Sequence, residues 1–223
     1  MKLANHVCLL TIFVLALPEL TGCAIARAHK KSGSRVGEIV PLSARVAKKI
    51  SEPIKLNQSP KKILEVGAGS GAMTPKIITK MTEQDHLDLV EIEPLLCAVL
   101  QEKFGGLKNV AIHCMDFLDW QPPYQYDAIV STLPFNSFPP ELVEKLVNHL
   151  IYVAKDQAYL GFVEFKWLPS LRQAFMNKKD KEVYVKTRKI IADFYNKYGT
   201  YYDNIYINFP PIIVYYLIID KNK

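Results

Sequence analysis

The sequence predicts an α/β fold: a doubly wound, mostly parallel sheet of seven strands, with helices on both faces, that ends in an antiparallel β-hairpin. Three observations lead to this prediction. Apolar runs of strand length alternate with longer amphipathic runs, a glycine-rich turn follows the first apolar run, and the last two runs are separated only by Pro210 and Pro211. The alternation is typical of right-handed crossovers between parallel strands. Since a parallel crossover needs about a dozen residues, the last two strands must form a hairpin or lie apart.

The composition is that of one compact domain with a basic surface. The chain has 223 residues, a net charge of +6 and a pI of about 9.0. This length is enough for one α/β domain, and the charge suits an anionic partner, either nucleic acid or an acidic membrane surface. The four cysteines and five histidines have no metal-ligand spacing, so we expect no metal site and no disulfide framework. Cys97 and Cys114 lie in apolar helix and strand patterns and are expected to be buried free thiols.

Residues 1–30 are predicted to form a hydrophobic leader, and residues 31–223 the main domain. An apolar run from Val7 to Leu17 is followed by Leu20-Thr21-Gly22-Cys23, which resembles a lipobox. Basic residues are more frequent after the run than before it, which favours a main domain on the cytoplasmic face of a membrane. A membrane-associated protein is therefore the expectation. Lipoprotein export through Cys23 is the alternative, and a buried or disordered leader is a third.

Helices and strands alternate regularly after the leader. A helix is expected from Pro41 to Ile50, because its apolar residues share one face. The later elements are predicted from the period of their apolar residues. The expected strands are 61–67, 87–93, 110–116, 126–133, 158–165, 204–209 and 212–220, and the expected helices between them are 72–81, 94–104, 139–153 and about 169–198.

The turn after the first strand predicts a nucleotide-like ligand. Gly67, Gly69 and Gly71 permit a sharp bend and a close approach of the backbone to a ligand. A helix that begins after them points its free N–H groups into the same space. The spacing from Gly67 to Ala72 also satisfies the dinucleotide-binding pattern, so a nicotinamide dehydrogenase is the natural competitor.

Acidic residues stand at or near the ends of the first three strands. Glu65 precedes the glycines in a buried strand, where a carboxylate needs a cationic or hydrogen-bonding partner. Glu91 ends the second strand, where an acid accepts hydrogen bonds from ribose hydroxyls. Asp116 ends the third strand and could accept from an adenine amine, with Phe117 beside the ring. Three acids at one sheet edge favour a nucleotide-like ligand more strongly than any one of them alone.

Together with the closing hairpin, these residues resemble class I S-adenosylmethionine-dependent methyltransferases, whose fold is Rossmann-like. The resemblance implies S-adenosylmethionine as cofactor. It assigns the methionine part to Gly67, Gly69 and Gly71, with Glu65 acting on the ammonium, directly or through water. It also assigns the ribose to Glu91 and the adenine amine to Asp116.

The segment after the fourth strand carries the expected catalytic residues. Thr132, Leu133, Pro134 and Phe135 resemble the active-site segment of adenine-amine methyltransferases, including the ribosomal RNA adenine dimethyltransferases. Thr132 stands where those enzymes have Asn. With the segments 35–43 and 208–214, the pattern is more similar to the bacterial phospholipid N-methyltransferases.

A basic segment, 166–189, interleaves lysine and arginine with apolar residues, which is typical of an interfacial helix. A solvated outer helix or an RNA-binding surface would show the same pattern. The sequence-based expectation is direct methylation of the amine headgroup of a phospholipid, phosphatidylethanolamine, at a membrane surface. RNA adenine N6-methylation is the first alternative, and a non-catalytic membrane lipoprotein is the second.

Overall fold

The structure, a computed structural model, describes residues 42–54, 61–166, 177–208 and 211–223. These residues form seven strands and five α-helices. The elements in chain order are α1 (Ala44–Ser51), β1 (Lys62–Val66), α2 (Thr74–Ile78), β2 (His86–Glu91), α3 (Pro94–Phe104), β3 (Val110–Cys114), β4 (Tyr126–Ser131), α4 (Pro140–Val153), β5 (Ala154–Phe165), α5 (Lys178–Tyr198), β6 (Gly199–Ile205) and β7 (Ile212–Ile219). Short 3-10 turns at Phe117–Asp119 and Phe135–Ser137 follow β3 and β4.

The strands form one sheet in the order β3-β2-β1-β4-β5-β7-β6. β1 to β5 are parallel, and β7 is antiparallel to both of its neighbours, β5 and β6. The predicted fold, a mostly parallel sheet that closes with an antiparallel hairpin, is confirmed. The strand order reverses between β1 and β4, and in open α/β sheets ligands bind outside the carboxyl ends of the strands at such a point.

Two apolar cores lie on opposite faces of the sheet. Alternate residues of a strand point to opposite faces, and in β1 both sets are buried, with Ile63 on one side and Leu64 and Val66 on the other. The core that contains Leu64 includes residues of α4 and α5, and the core that contains Ile63 includes residues of α1, α2 and α3. Burial on both faces explains why the central strands are apolar without alternation.

Several elements begin at other residues than the sequence predicts. α2 begins at Thr74 instead of Ala72 and has Pro75 in its first turn, because the glycine turn extends further before the helix forms. β5 begins at Ala154 instead of Ala158, with an irregularity at Gln157, where φ is 60°. β6 begins at Gly199 because the residues directly after α5 pair with the end of β7. Local propensity does not reveal a pairing partner that is distant in sequence.

Cys97 and Cys114 form a disulfide, and the prediction of free thiols is wrong. Cys97 lies in the first turns of α3 and Cys114 is the last residue of β3, and their Cα atoms are 5.8 Å apart. α3 packs against β2 and β3, which brings its first turns beside the end of β3. The spacing of 17 residues between the two cysteines does not by itself indicate that α3 packs beside the end of β3.

Among the described helices, none combines the length and the apolar character needed to cross a bilayer. The predicted leader at residues 1–30, including Cys23, lies outside the described residues, as does most of the segment 35–43.

Candidate active site

The glycine loop, residues 67–71, follows β1 with a backbone that only glycine adopts easily. Gly67, Gly69 and Gly71 have φ values of 71°, 58° and 82°. The N–H of Gly67 donates to the carbonyl of Val90 over 2.9 Å, which fixes the loop to the end of β2. A Cβ on Gly71 would overlap the ring of Phe104 in α3. Conformation and close packing therefore both explain the glycines.

Glu65 is a buried carboxyl with one unpaired oxygen. Its side chain has no exposed surface, and its Oε2 accepts a 2.7 Å hydrogen bond from the hydroxyl of Thr74 in α2. Its Oε1 has no hydrogen-bond partner within the described residues. Burial raises the pKa of Glu65 to about 8, and the Thr74 hydroxyl opposes this shift. A buried, unpaired acceptor beside the glycine loop suits a ligand that carries a cationic N–H group.

Glu91 organises the glycine loop. Its Oε2 accepts from the N–H of Gly69 over 2.8 Å, and its Oε1 accepts from Ile92 and Glu93, each over 2.9 Å. Burial raises the pKa of Glu91, whereas these three backbone N–H groups lower it. A carboxylate offers about four acceptor positions, so one remains for a hydroxyl of a bound ligand.

Asp116 lies beside Glu91 but turns its carboxylate toward its own backbone. The N–H of Met115 donates to the carbonyl of Glu91 over 2.9 Å, which brings the two segments together. Asp116 Oδ1 accepts from the N–H of Leu118 over 2.9 Å and caps the 3-10 turn. The ring of Phe117 is buried and contacts His149 of α4 edge-on, with 4.7 Å between centroids. The predicted roles of Asp116 and Phe117 toward an adenine ring stay predictions.

The acceptor loop, residues 131–136, is joined directly to the glycine loop. The hydroxyl of Thr132 donates to the carbonyl of Gly67 over 2.6 Å, and the N–H of Thr132 donates to Val66 over 3.1 Å. Leu133 lies against the open side of Gly67, where an added Cβ would be 3.1 Å from Leu133 Cδ2. The structure thus brings Thr132 and Leu133 to the glycine loop, as the sequence predicts.

The rest of the acceptor loop is held by aromatic packing. The N–H of Phe135 donates to the carbonyl of Leu133 over 2.9 Å, which closes a tight turn around Pro134. The ring of Phe135 is buried and meets Phe162 of β5 edge-on, with 5.6 Å between centroids. Packing of the Phe135 ring against β5 therefore fixes the shape of the acceptor loop.

Sequence reasoning missed a polar cluster that supports this loop. Asn136 donates to the buried carboxylate of Glu164 in β5 and accepts from Arg188 in α5. Arg188 and Glu164 form an ion pair, and the hydroxyl of Tyr215 donates to Glu164 over 3.0 Å. The one sequence signal is Glu164 itself, an acid inside an apolar strand, because such a residue must be paired.

The assembled residues fit S-adenosylmethionine. Hydrogen bonds join the glycine loop to Glu91 and to the acceptor loop, Glu65 precedes the glycine loop in β1, and Asp116 is adjacent to Glu91. The unpaired Glu65 oxygen matches an ammonium group, and the glycine backbone leaves room for close approach. The described residues contain no group of three or more His, Cys, Asp or Glu side chains that could hold a metal ion.

Comparison with known proteins identifies the family. Residues 42–184 match the family model described as ribosomal RNA adenine dimethylase. The chain is 34% identical over 87 residues to the probable ribosomal RNA small subunit methyltransferase A of Methanosarcina barkeri. This match covers 39% of this chain and 29% of that protein. It is 32% identical over 117 residues to ribosomal RNA small subunit methyltransferase A of Borreliella afzelii, a match that covers 52% of this chain and 38% of that protein. The matches thus span less than two fifths of these relatives' own length.

Two solved structures with a similar fold are methyltransferases. NodS from Bradyrhizobium japonicum, an N-methyltransferase in complex with S-adenosyl-L-homocysteine, matches with a TM-score of 0.62 at 10% identity, over 88% of this chain and 96% of that one. A SAM-dependent methyltransferase from Aquifex aeolicus matches with a TM-score of 0.55 at 20% identity, over 78% of this chain and 89% of that one. These likenesses show the shared fold.

The comparisons correct one expectation, leave another without support and confirm others. The expectation of a membrane-associated protein is wrong, because the relatives are named as ribosomal RNA methyltransferases. They support the ribosomal RNA resemblance and give no support to kinship with phospholipid enzymes. The predictions of an S-adenosylmethionine-dependent methyltransferase and of its cofactor are confirmed at the level of the family. The chain belongs to the ribosomal RNA adenine dimethylase family.

Proposed function

We propose that this protein methylates the exocyclic amine of adenine in RNA, with ribosomal RNA as the first substrate to test. The family match over residues 42–184 and the names of the relatives support this proposal. It replaces phospholipid methylation, the main sequence-based expectation.

We assign cofactor binding to the residues around the glycine loop. Gly67, Gly69 and Gly71 would hold the methionine part of S-adenosylmethionine, with Glu65 accepting from its ammonium group. The remaining acceptor position of Glu91 would take a ribose hydroxyl, and Asp116 the adenine amine. When bound, this cofactor supplies an electrophilic methyl group on a sulfonium centre.

The hydroxyl of Thr132 is the observation that carries the proposal. Its proton is committed to the carbonyl of Gly67, so the oxygen can act only as an acceptor toward any further group. An adenine amine carries two N–H donors and needs acceptors in this position. Thr132 therefore offers the same kind of interaction as the Asn of the related enzymes, from a shorter side chain.

The surroundings of the acceptor loop favour an adenine amine over an alkylamine. An alkylammonium must lose a proton to a base before it can attack a methyl group, whereas an adenine amine is neutral. The carboxylate that contacts this loop, Glu164, is held by Arg188, Asn136 and Tyr215. For a neutral amine, the task of these residues is to position the acceptor, and orientation can contribute about 7–11 kcal/mol to lowering a barrier.

The test uses purified full-length protein and S-adenosylmethionine with a labelled methyl group. Small-subunit ribosomal RNA, unstructured RNA and lipid extract are offered separately, and the RNA is digested to nucleosides. We expect label in methylated adenosine. Label in lipid alone, or in a nucleoside other than adenosine, would overturn the proposal.

Two variants separate the role of Thr132 from that of the fold. Thr132→Val keeps the shape and loses the oxygen, and it is expected to abolish most transfer. Thr132→Asn restores the residue of the related enzymes and is expected to retain transfer. Retained transfer by Thr132→Val would exclude the hydroxyl as the acceptor for the amine.

A further inference from the structure

Two large apolar side chains, Tyr206 and Ile207, are exposed directly after β6. Their exposed fractions, 65% and 72%, are the largest among the bulky apolar residues that the structure describes. Single exposed apolar residues are ordinary on a protein surface. The position and neighbours of this pair decide whether they indicate a binding surface.

The pair lies at the same sheet edge as the active site. β5 and β6 are both antiparallel to β7, so they run in the same direction and end at the same edge. That edge holds the carboxyl ends of β1, β2 and β4, where Glu91 and Thr132 lie. Tyr206 directly follows Ile205, the last residue of β6, and therefore belongs to the substrate side of the sheet.

A lysine holds the ring of Tyr206. Lys166 Nζ lies 4.9 Å from the ring centroid and 3.0 Å from the Tyr206 hydroxyl, and it donates to Asn204 Oδ1 over 3.2 Å. The N–H of Lys166 donates to the carbonyl of Pro211 over 2.8 Å, which continues the pairing of β5 and β7. An exposed aromatic ring is thus oriented by a cation, while most of its surface stays open to solvent.

The pair is connected to the acceptor loop through one strand. Glu164, which binds Asn136 of that loop, stands two residues before Lys166, and alternation places the two side chains on the same face. The Arg188 that pairs with Glu164 belongs to α5. Glu164, which contacts the acceptor loop, and Lys166, which contacts Tyr206, therefore lie on the same face of one strand.

The charge of this face is positive. α5 ends at Tyr198, directly before β6 begins, so its first turns lie at the same edge as the active site. This half of the helix carries exposed Lys178, Lys181 and Lys186 against Asp180 and Glu182, while Arg188 pairs with Glu164 and Lys189 with Asp193. Such a face attracts a polyanion. The basic segment seen in the sequence thus lies at the same edge of the sheet as Tyr206 and Ile207.

We propose that Tyr206, Ile207 and Lys166, the Tyr206 platform, bind single-stranded RNA beside the target adenine. A base stacks on Tyr206 and contacts Ile207, while Lys166 and the lysines of α5 neutralise phosphates. Unpaired bases stacked on aromatic rings are the usual means by which proteins recognise single-stranded RNA. The inference rests on the proposed function, since it names the substrate surface of that site.

The test measures binding of a fluorescent single-stranded RNA oligonucleotide by anisotropy. Tyr206→Ala is expected to weaken binding by about fivefold to 150-fold, the range found for loss of one base–aromatic stack. Tyr206→Phe keeps the ring and is expected to bind as the wild type does. Lys166→Gln is expected to lower the slope of log K against log salt by about 0.7 for one lost phosphate contact.

Tyr152 provides a matched control. It is a tyrosine with 59% exposure at the end of α4, and β5 begins immediately after that helix, so Tyr152 lies at the opposite edge of the sheet. Tyr152→Ala should leave RNA binding unchanged. Titration of each variant with S-adenosyl-L-homocysteine shows whether its cofactor site is intact.

The outcomes separate the platform from the proposed function. If the wild type methylates RNA but Tyr206→Ala binds RNA as tightly, the platform is wrong and the function stands. If RNA binding depends on Tyr206 but the wild type transfers no methyl group to RNA, the platform proposal stands and the proposed function is wrong. Equal losses in Tyr152→Ala and Tyr206→Ala, or tighter binding of a fully paired duplex, would also overturn the platform.

Discussion

The hydroxyl of Thr132 donates a 2.6 Å hydrogen bond to the carbonyl of Gly67, and this bond joins the acceptor loop to the glycine loop. The two residues are 65 positions apart and follow β4 and β1, the strands between which the sheet order reverses. A change in one loop is therefore transmitted to the other through this hydrogen bond and through Leu133, which packs against Gly67.

We expect Thr132→Val to separate catalysis from cofactor binding. The lost hydrogen bond is worth about 0.5–1.5 kcal/mol, and the acceptor for the substrate amine is lost as well. We therefore expect kcat for RNA to fall by more than about tenfold, since more than the hydrogen bond is lost, while the Kd for S-adenosyl-L-homocysteine changes by less than about tenfold. Thr132→Ser keeps the oxygen and should retain most of the activity. A loss of cofactor affinity larger than the loss of kcat would show a structural role instead.

The stability of the protein should depend on pH through Glu65. Its pKa is about 8 in the folded chain and 4.5 ordinarily, so between these values the folded chain retains a proton that the unfolded chain releases. The contribution of this proton to stability is present below about pH 4.5 and is lost as pH rises to about 8. Over the whole window this amounts to on the order of 5 kcal/mol.

Glu65→Gln removes this titration and keeps an acceptor for Thr74. We expect the variant to gain free energy of unfolding relative to the wild type as pH rises from 5.5 to 8.5, measured by urea denaturation. Groups distant from Glu65 titrate alike in both proteins, so the difference between them reports Glu65 together with Glu91, the carboxylate coupled to it. A difference that stays constant over this range would contradict the raised pKa.

Gly69→Ala and Gly71→Ala form a matched pair that separates backbone strain from steric overlap. Both residues have positive φ, but a Cβ at Gly69 meets only the Gly67 carbonyl at 3.9 Å, whereas one at Gly71 overlaps Phe104. We expect a loss of about 1–2 kcal/mol for Gly69→Ala and about 2–5 kcal/mol for Gly71→Ala in the free energy of unfolding. Equal losses would show that Phe104 moves aside without cost.

Reduction of the Cys97–Cys114 bond should destabilise the fold. The bond closes a loop with a sequence separation of 17, for which the chain-entropy estimate is about 3 kcal/mol. An unreduced proteolytic digest should contain the two cysteine peptides joined, as seen by mass spectrometry. Cys114→Ser should make the stability insensitive to reductant, and a wild type that is already insensitive would argue against the bond.

Much of the fold was predictable because it depends on local patterns. The apolar period gave the strands, and Pro210-Pro211 fixed the antiparallel ending, which β6 and β7 confirm. The glycine loop, Glu91 and Thr132 were also found from sequence, since their positions at strand ends follow from the strand pattern.

The remainder depends on contacts that no local pattern contains. The Cys97–Cys114 bond arises from the return of α3 to β3, and the pairing of Glu164 with Arg188 and Asn136 joins three separate elements. The acceptor that the sequence favoured, a phospholipid amine, has no support from the relatives, whose names favour the RNA alternative. In the structure the bond to the Gly67 carbonyl commits the proton of Thr132 and leaves its oxygen as an acceptor, and this contact between two loops is not contained in any local pattern.

The position of β7 has a consequence for how the molecule is made. β7 is the last strand in the sequence but lies between β5 and β6, and β6 has no other partner in the described sheet. During synthesis, β5 therefore keeps an unpaired edge, and the Tyr206 platform stays unanchored, until residues 212–219 leave the ribosome. Because β7 joins β6 to the rest of the described sheet, a substitution that disrupts residues 212–219 should also displace β6, and methyl transfer should fall with it.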